Sequence, residues 1–313
     1  MQISGGVVLS GGVNLAPGSG GSGPTPSLSN GYASGGFAPG GVTNTIQKFP
    51  FASDGNATDV GDLTQARQAP AGQSSSTSGY SSGGNVPTAL NTIDKFPFAS
   101  DGNATDVGDL TQGRYSSAGQ SSTESGYTSG GYGPSYTNII DKFSFSSDGN
   151  ATDVGDLTAD RYMFTGQSSS TNGYSSGGYD NAYLNIIDKF PFASDGNATD
   201  VGDLTVARLG AAGQSSLENG YSSGGAIDGS GTGVNTVDKF SFASDSNATD
   251  VGDLTADRYD FTGQSSNTNG YSSGGWNNAY LNIIDKFPFA SDGNATDVGD
   301  LPVASFGLSG QQG

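Results

Sequence analysis

Residues 48–63 read KFPFASDGNATDVGDL, and the same string, nearly unchanged, begins again at Lys95, Lys142, Lys189, Lys239 and Lys286. The intervals between copies are 47, 47, 47, 50 and 47 residues. A second string, GQSSSTSGYSSGG around Tyr80, follows every copy except the last in some variant. Periodicity on this scale marks a repeat architecture, in which one unit cannot bury its apolar face alone and neighbours complete the core. The one longer unit carries its extra residues after Gly224-Gly225, in AIDGSGTGVN, which reads as a loop.

Each unit divides into four short strand candidates. In the second unit these are RQAPAGQSS from Arg67, GYSSGG from Gly79, NTIDKFPFA from Asn91 and ATDVGDL from Ala104. Gly, Ser, Asn and Asp punctuate the junctions, and no apolar i, i+3, i+4 stripe persists for two turns. Four short strands in roughly 40–50 residues is the pattern of a propeller blade. Phe96 and Phe98 alternate with Lys95, Pro97 and Ala99, so both rings are expected on one strand face. Burial of each such Phe would contribute roughly 1.5–3 kcal/mol, which predicts a core between face-packed blades. Pro97 cannot donate to a ladder and is placed at a strand end or bulge; Ser144 and Ser241 replace it in two units.

The chain termini supply the topology. The first unit opens at Gly31 with GYASGG and lacks its first strand, while VASFGLSGQQG from Val303 matches the missing piece. The expected fold is therefore all-β, a six-bladed β-propeller closed by N- and C-terminal strands sharing one blade, over residues 27–313. Such closure removes exposed sheet edges. Residues 1–26 lie outside the repeat and read as an extended N-terminal arm, ISGGVVL and SGGVNL followed by the tether APGSGGSGPTP. Val7, Val8, Leu9, Val13 and Leu15 are too few to form a core, so they are expected to attach to a partner, as by strand addition. A tail ordered only by packing is the alternative. Met1–Pro17 lacks a basic n-region, and no signal peptide is expected.

Composition excludes several function classes. The chain of 313 residues has 53 Gly, 16 Phe and 14 Tyr, neither Cys nor His, and a formal charge of −19. That charge argues against nucleic acid and against anionic membrane surfaces, and no apolar run reaches the ~20 residues a membrane span needs. All eleven basic residues sit at repeat positions: the six Lys above and Arg67, Arg114, Arg161, Arg208 and Arg258. Carboxylates such as Asp101, Asp106 and Asp109 are expected to hold them; a five-Arg anion site is the alternative. In the first SDGNATDVGD, the residues Asp54, Asn56, Asp59 and Asp62 have the oxygen-rich look of a calcium loop. Thr58 and Asp59 nonetheless stand where such a loop wants an oxygen ligand followed by Gly, and local Asx turns explain the same residues. No metal and no cofactor are expected. Glu124 and Glu218, which break the acidic pattern, have no evident partner, so no enzyme is expected.

RLGAAGQSSLENGYSSGG from Arg208 resembles the kelch repeat, although Asp-Val-Gly-Asp-Leu stands where the usual blade Trp would be. This resemblance covers residues 27–313. The longer phrase NIIDKFPFASDGNATDVGDLT from Asn185, with AGQSS and GYSSGG, is similar to repeats in virion structural proteins of tailed phages of marine cyanobacteria. The opening MQISGGVVLSGG is similar to the starts of proteins encoded in the same genomes. The resemblance implies a virion appendage, whether tail fibre, head fibre or decoration, bound to other virion proteins and exposed on the particle surface. Variation between units concentrates after Gly-Gly, at Phe37, Asn85, Tyr132, Tyr179, Ala226 and Trp276, and after Arg, at Gln68, Tyr115, Tyr162, Leu209 and Tyr259. Tyr132, Tyr179 and Trp276 are the candidate ligand rim; filling wedge gaps between blades is their other reading. A lectin-like propeller that binds a host-surface glycan or receptor is the alternative function.

Overall fold

The structure, a computed structural model, describes residues 28–313. The arm at 1–26, with Val7, Val8, Leu9, Val13 and Leu15, lies outside the described residues. The ring consists of six four-stranded antiparallel sheets, with a small two-stranded ribbon, Phe37–Ala38 with Gly41–Val42, beside the first. It is a six-bladed β-propeller. Blade 2 shows the plan, running outward as Ala71–Ser74, Ser78–Ser82, Thr92–Pro97 and Thr105–Asp109. Blades 3 to 6 repeat it from inner strands Ala118–Ser121, Thr165–Ser168, Ala212–Ser215 and Thr262–Ser265. Blade 1 is assembled from both ends of the chain: Ser309–Gln312 is its inner strand, followed by Asn30–Ser34, Thr45–Pro50 and Thr58–Asp62. Gly31 pairs with Gln312 and Ser34 with Ser309. The expected closure is the observed one. Pro97 ends its strand opposite Ser78, where its missing N–H costs no interior ladder bond.

Blades pack through one apolar unit repeated around the ring. Tyr32 of blade 1 stacks on Phe98 of blade 2 at 5.0 Å and meets Phe96 at 5.6 Å. The last of these contacts joins Tyr271 of blade 6 to Phe51 and Phe49 of blade 1, at 4.6 and 5.6 Å. The two rings of a pair are not equivalent. Phe96 and its counterparts are buried, whereas Phe98 and its counterparts cap the Tyr from outside and stay half-buried.

Polar links close the same circuit. Gln73 in the inner strand of blade 2 donates to the Tyr127 carbonyl of blade 3 at 3.0 Å, and Gln311 repeats the bond to Tyr80 across the seam. At the periphery, Asn103 Oδ1 accepts from Asp62 N–H at 3.1 Å and Asn56 Oδ1 from Asp300 N–H, again at 3.1 Å. The inner strands approach so closely that a Cβ on Gly72 would lie 2.2 Å from the Gly310 carbonyl oxygen. Only Gly fits there.

Five blades hold a buried Arg against an Asp of the third strand. Arg67 Nη2 reaches Asp94 Oδ2 at 2.9 Å with both side chains fully buried, and Nη1 donates to the Gly83 and Thr92 carbonyls. Asp94 also accepts from the N–H and hydroxyl of Thr64. The expected assignment of Arg to the SDGNATDVGD carboxylates is corrected by this geometry. Those loops serve the Lys instead: Lys95 Nζ lies 2.9 Å from Asp148 of the next blade. In blade 1, Ser305 and Gln47 occupy the Arg and Asp positions, and both are buried.

Candidate functional site

The two ends of the ring differ. Each second strand runs from the end that carries the SDGNATDVGD loops to the end that carries Gly-Gly and the variable residues. At this second end the two variable slots prove to be partners, joined by an antiparallel bridge: Tyr115 with Tyr132, Tyr162 with Tyr179, Tyr259 with Trp276, Gln68 with Asn85, Leu209 with Ala226 and Phe306 with Phe37. In blades 2 and 4 to 6, a third position bridges to the second: Ala89, Tyr183, Gly233 and Tyr280. Tyr136 and Val42 do the same within blade 3 and the ribbon of blade 1.

The aromatic positions other than Tyr259 sort into two ridges. On blades 3 and 4, Tyr115, Tyr132, Tyr136, Tyr162, Tyr179 and Tyr183 form one continuous set of ring contacts, centred on Tyr136 stacked on Tyr162 at 5.0 Å and 10°. On blades 6 and 1, Trp276, Tyr280, Phe306 and Phe37 form another, with Tyr280 stacked on Phe306 at 5.7 Å and 28°. Tyr132 and Tyr179 thus belong to one ridge and Trp276 to the other. All three are half-buried, each packed on neighbours yet open on part of its surface. Tyr136, Tyr183, Tyr280 and Phe306 were not singled out from the sequence. The shared NAY at 181–183 and 278–280 was the available signal for two of them.

The residue after each post-Arg slot faces the axis. Ala69, Ser116, Met163, Gly210, Asp260 and Gly307 all adopt left-handed backbone, with φ between 52° and 64°. Each N–H donates to the carbonyl of its counterpart in the preceding blade at 2.7–2.9 Å, which closes a hydrogen-bonded loop around the axis. Four of the six are not Gly, so the loop holds local strain that the surrounding blades enforce. Beneath it lie axial cavities of about 80 and 90 Å³, lined by the loop and the inner strands.

Asp260 is the one charged side chain in this loop. A Cβ on Gly210 would sit 2.9 Å from Asp260 Oδ1, so the carboxylate leans towards blade 5. Desolvation pushes its carboxyl up to about 7, although the residue keeps some exposure to the axial cavity. Burial also raises Tyr115, Tyr162 and Tyr259, which keeps their hydroxyls protonated and able to donate.

Charge is distributed in one sense. Every Lys and Arg of the chain is ion-paired, eleven in all, and the five Arg are fully buried. The five-Arg anion site is therefore excluded: each guanidinium is spent inside its own blade. In the SDGNATDVGD loops, Asp59 Oδ1 accepts from Gly61 N–H at 3.2 Å, an Asx turn, while Asn56 and Asp54 are engaged with blade 6. Among the described residues no group of three or more carboxylates is placed to share a metal ion, and no helix is long and apolar enough to cross a membrane.

The chain joins the ring at the loop end. Ser29 and Asn30 N–H donate to the Gly313 carbonyl at 2.7 and 2.8 Å, and Phe51 N–H donates to Ser29. Leu28 therefore lies at the end opposite the aromatic ridges. No protein-family model matches the chain, and no curated protein matches it.

Proposed function

We propose that the protein is a non-catalytic recognition module of a virion appendage, which holds its particle from the loop end and presents the aromatic face outward. One observation carries the reading: the chain joins the ring at one end, whereas the aromatic slots that differ between blades gather at the other. A scaffold of near-identical units supplies rigidity, and the face opposite the chain entry carries the aromatic variation, which is how loops on a fixed frame acquire binding roles. Aromatic side chains with protonated hydroxyls suit such a face, because they offer contact area at low entropic cost. The virion setting is supported by the resemblance of the repeated phrase, and attachment by the apolar residues of 1–26. The absence of Cys and His supports the non-catalytic part.

Two measurements test this. The intact protein should bind isolated host envelopes, and Tyr136→Ala or Trp276→Ala should weaken that binding while Lys95→Ala at the other end leaves it unchanged. Removal of residues 1–26 should leave a monodisperse ring that no longer joins the particle. Envelope binding that ignores the aromatic face refutes the recognition role, and a truncated ring that still assembles refutes the attachment role.

A further inference from the structure

We propose that the aromatic face binds a neutral, unbranched polysaccharide, laid across the axis from blade 2 to blade 5. This rests on the recognition-face reading above and adds the ligand's class and path.

The path follows from blade order. In a ring of six, blades 2 and 5 stand opposite each other, and they separate the ridge on blades 3 and 4 from the ridge on blades 6 and 1. Their own slots carry no ring at all: Gln68, Asn85 and Ala89 on one side, Leu209, Ala226 and Gly233 on the other. The longer loop of blade 5 stands between the two walls, since a Cβ on Gly231 would lie 2.9 Å from the Tyr259 hydroxyl of blade 6 and Asp228 is within electrostatic reach of Tyr183 of blade 4. A low track bordered by two aromatic walls thus runs from blade 2 over the axis up to that loop, with the axial loop as its floor.

The chemistry of walls and floor selects the occupant. Pyranose rings have apolar C–H faces that stack on aromatic side chains and hydroxyl edges that pair with polar ones. A chain of such rings can touch both walls along the track. An extended peptide would need a backbone ladder, but the floor's N–H groups are already spent on one another around the axis. An acidic glycan would need a cation, and no Lys or Arg is free. Midway stands Asp260, whose carboxylate has no hydrogen-bond donor among the described residues. Two vicinal sugar hydroxyls would supply donors to it, and a carboxylate accepts such a pair readily.

The test uses the full chain against immobilised linear hexasaccharides of glucose, mannose, galactose and N-acetylglucosamine, beside uronate and sulfated counterparts. At least one neutral series should bind, with its charged counterparts about ten-fold weaker or worse. Asn85→Trp should obstruct the track while leaving both ridges intact; the equivalent slot of blade 6 already carries Trp276, so the fold accommodates the ring. It should weaken binding by about ten-fold or more, as should Asp260→Ala, with thermal midpoints measured alongside to confirm folding. Preference for the charged series, or full binding by Asn85→Trp, overturns the proposal. A silent panel also overturns it; if envelope binding then still depends on Tyr136 and Trp276, the recognition face survives without this ligand. If envelope binding ignores those residues, the recognition reading falls as well.

Discussion

Arg67 and Asp94 form an ion pair from which water is fully excluded, and the two residues are replaced together, by Ser305 and Gln47, in the blade that joins the chain ends. Neither replacement occurs without the other. A buried pair gains little over an apolar one, but half a pair is costly because the remaining charge has neither water nor partner.

Asp94→Gln should accordingly destabilise the ring by about 3–5 kcal/mol. Arg67→Ser with Asp94→Gln, which copies blade 1, should recover much of that loss. Urea denaturation of the two single variants and the double variant measures the coupling directly. Additive losses would show that the pair does not act as a unit.

The two rings of a Phe pair should respond unequally. Phe96→Ala empties a buried site and should cost about 3–5 kcal/mol. Phe98→Ala removes a half-buried ring that caps Tyr32 and should cost clearly less. Equal losses in thermal denaturation would contradict the burial difference.

Deleting 309–313 removes the inner strand of blade 1 and the Gln311 bond to the Tyr80 carbonyl. Asn30–Ser34 is then left with an open edge, the usual template for association between chains. Light scattering should report oligomers or aggregates where the intact chain is uniform.

Asp260 links stability to pH. Its folded carboxyl titrates near 7, above the ordinary value of 3.8, so the folded state holds a proton that the unfolded chain has released. Stability therefore falls as pH rises from about 4 to about 7 and then levels. Tyr162 and Tyr259 interact with Asp260 but stay protonated throughout this range. Asp260→Asn should raise the thermal midpoint at pH 8 and leave it nearly unchanged at pH 4. The opposite pattern would mean that the ionised carboxylate is stabilised where it stands.

Much of the scaffold was legible in the sequence because the repeat records it six times. GYASGG without a preceding strand, and SFGLSGQQG without a following one, disclosed the shared blade. The ion pairs were only half legible: periodicity places an Arg such as Arg67 and four kinds of Asp in each of five units but cannot say which Asp lies within reach. Asp94 is chosen by the third strand's register, which points it inward between Ile93 and Lys95. The candidate site was legible as two variable slots, not as a shape. That the slots bridge each other, and that Tyr136 stacks across a blade boundary, depends on long-range geometry. The axial loop left no compositional trace, since Ala, Ser, Met, Gly and Asp all serve in it.

Near-identity among modules carries a hazard that the seam resolves. An inner strand such as Ala71–Ser74 would fit the neighbouring strand of almost any blade, in its own molecule or in another copy, and exchange of this kind is a common route to swapped dimers. Each interior inner strand, however, follows an Arg. Inserted at the seam, that Arg would face Gln47 rather than an Asp, a buried charge left unanswered. The authentic closing strand follows Ser305 instead, and inserted elsewhere it would strand an Asp. Two neutral residues thus act as a password: the seam accepts its own strand and turns away every look-alike, so the ring closes on itself.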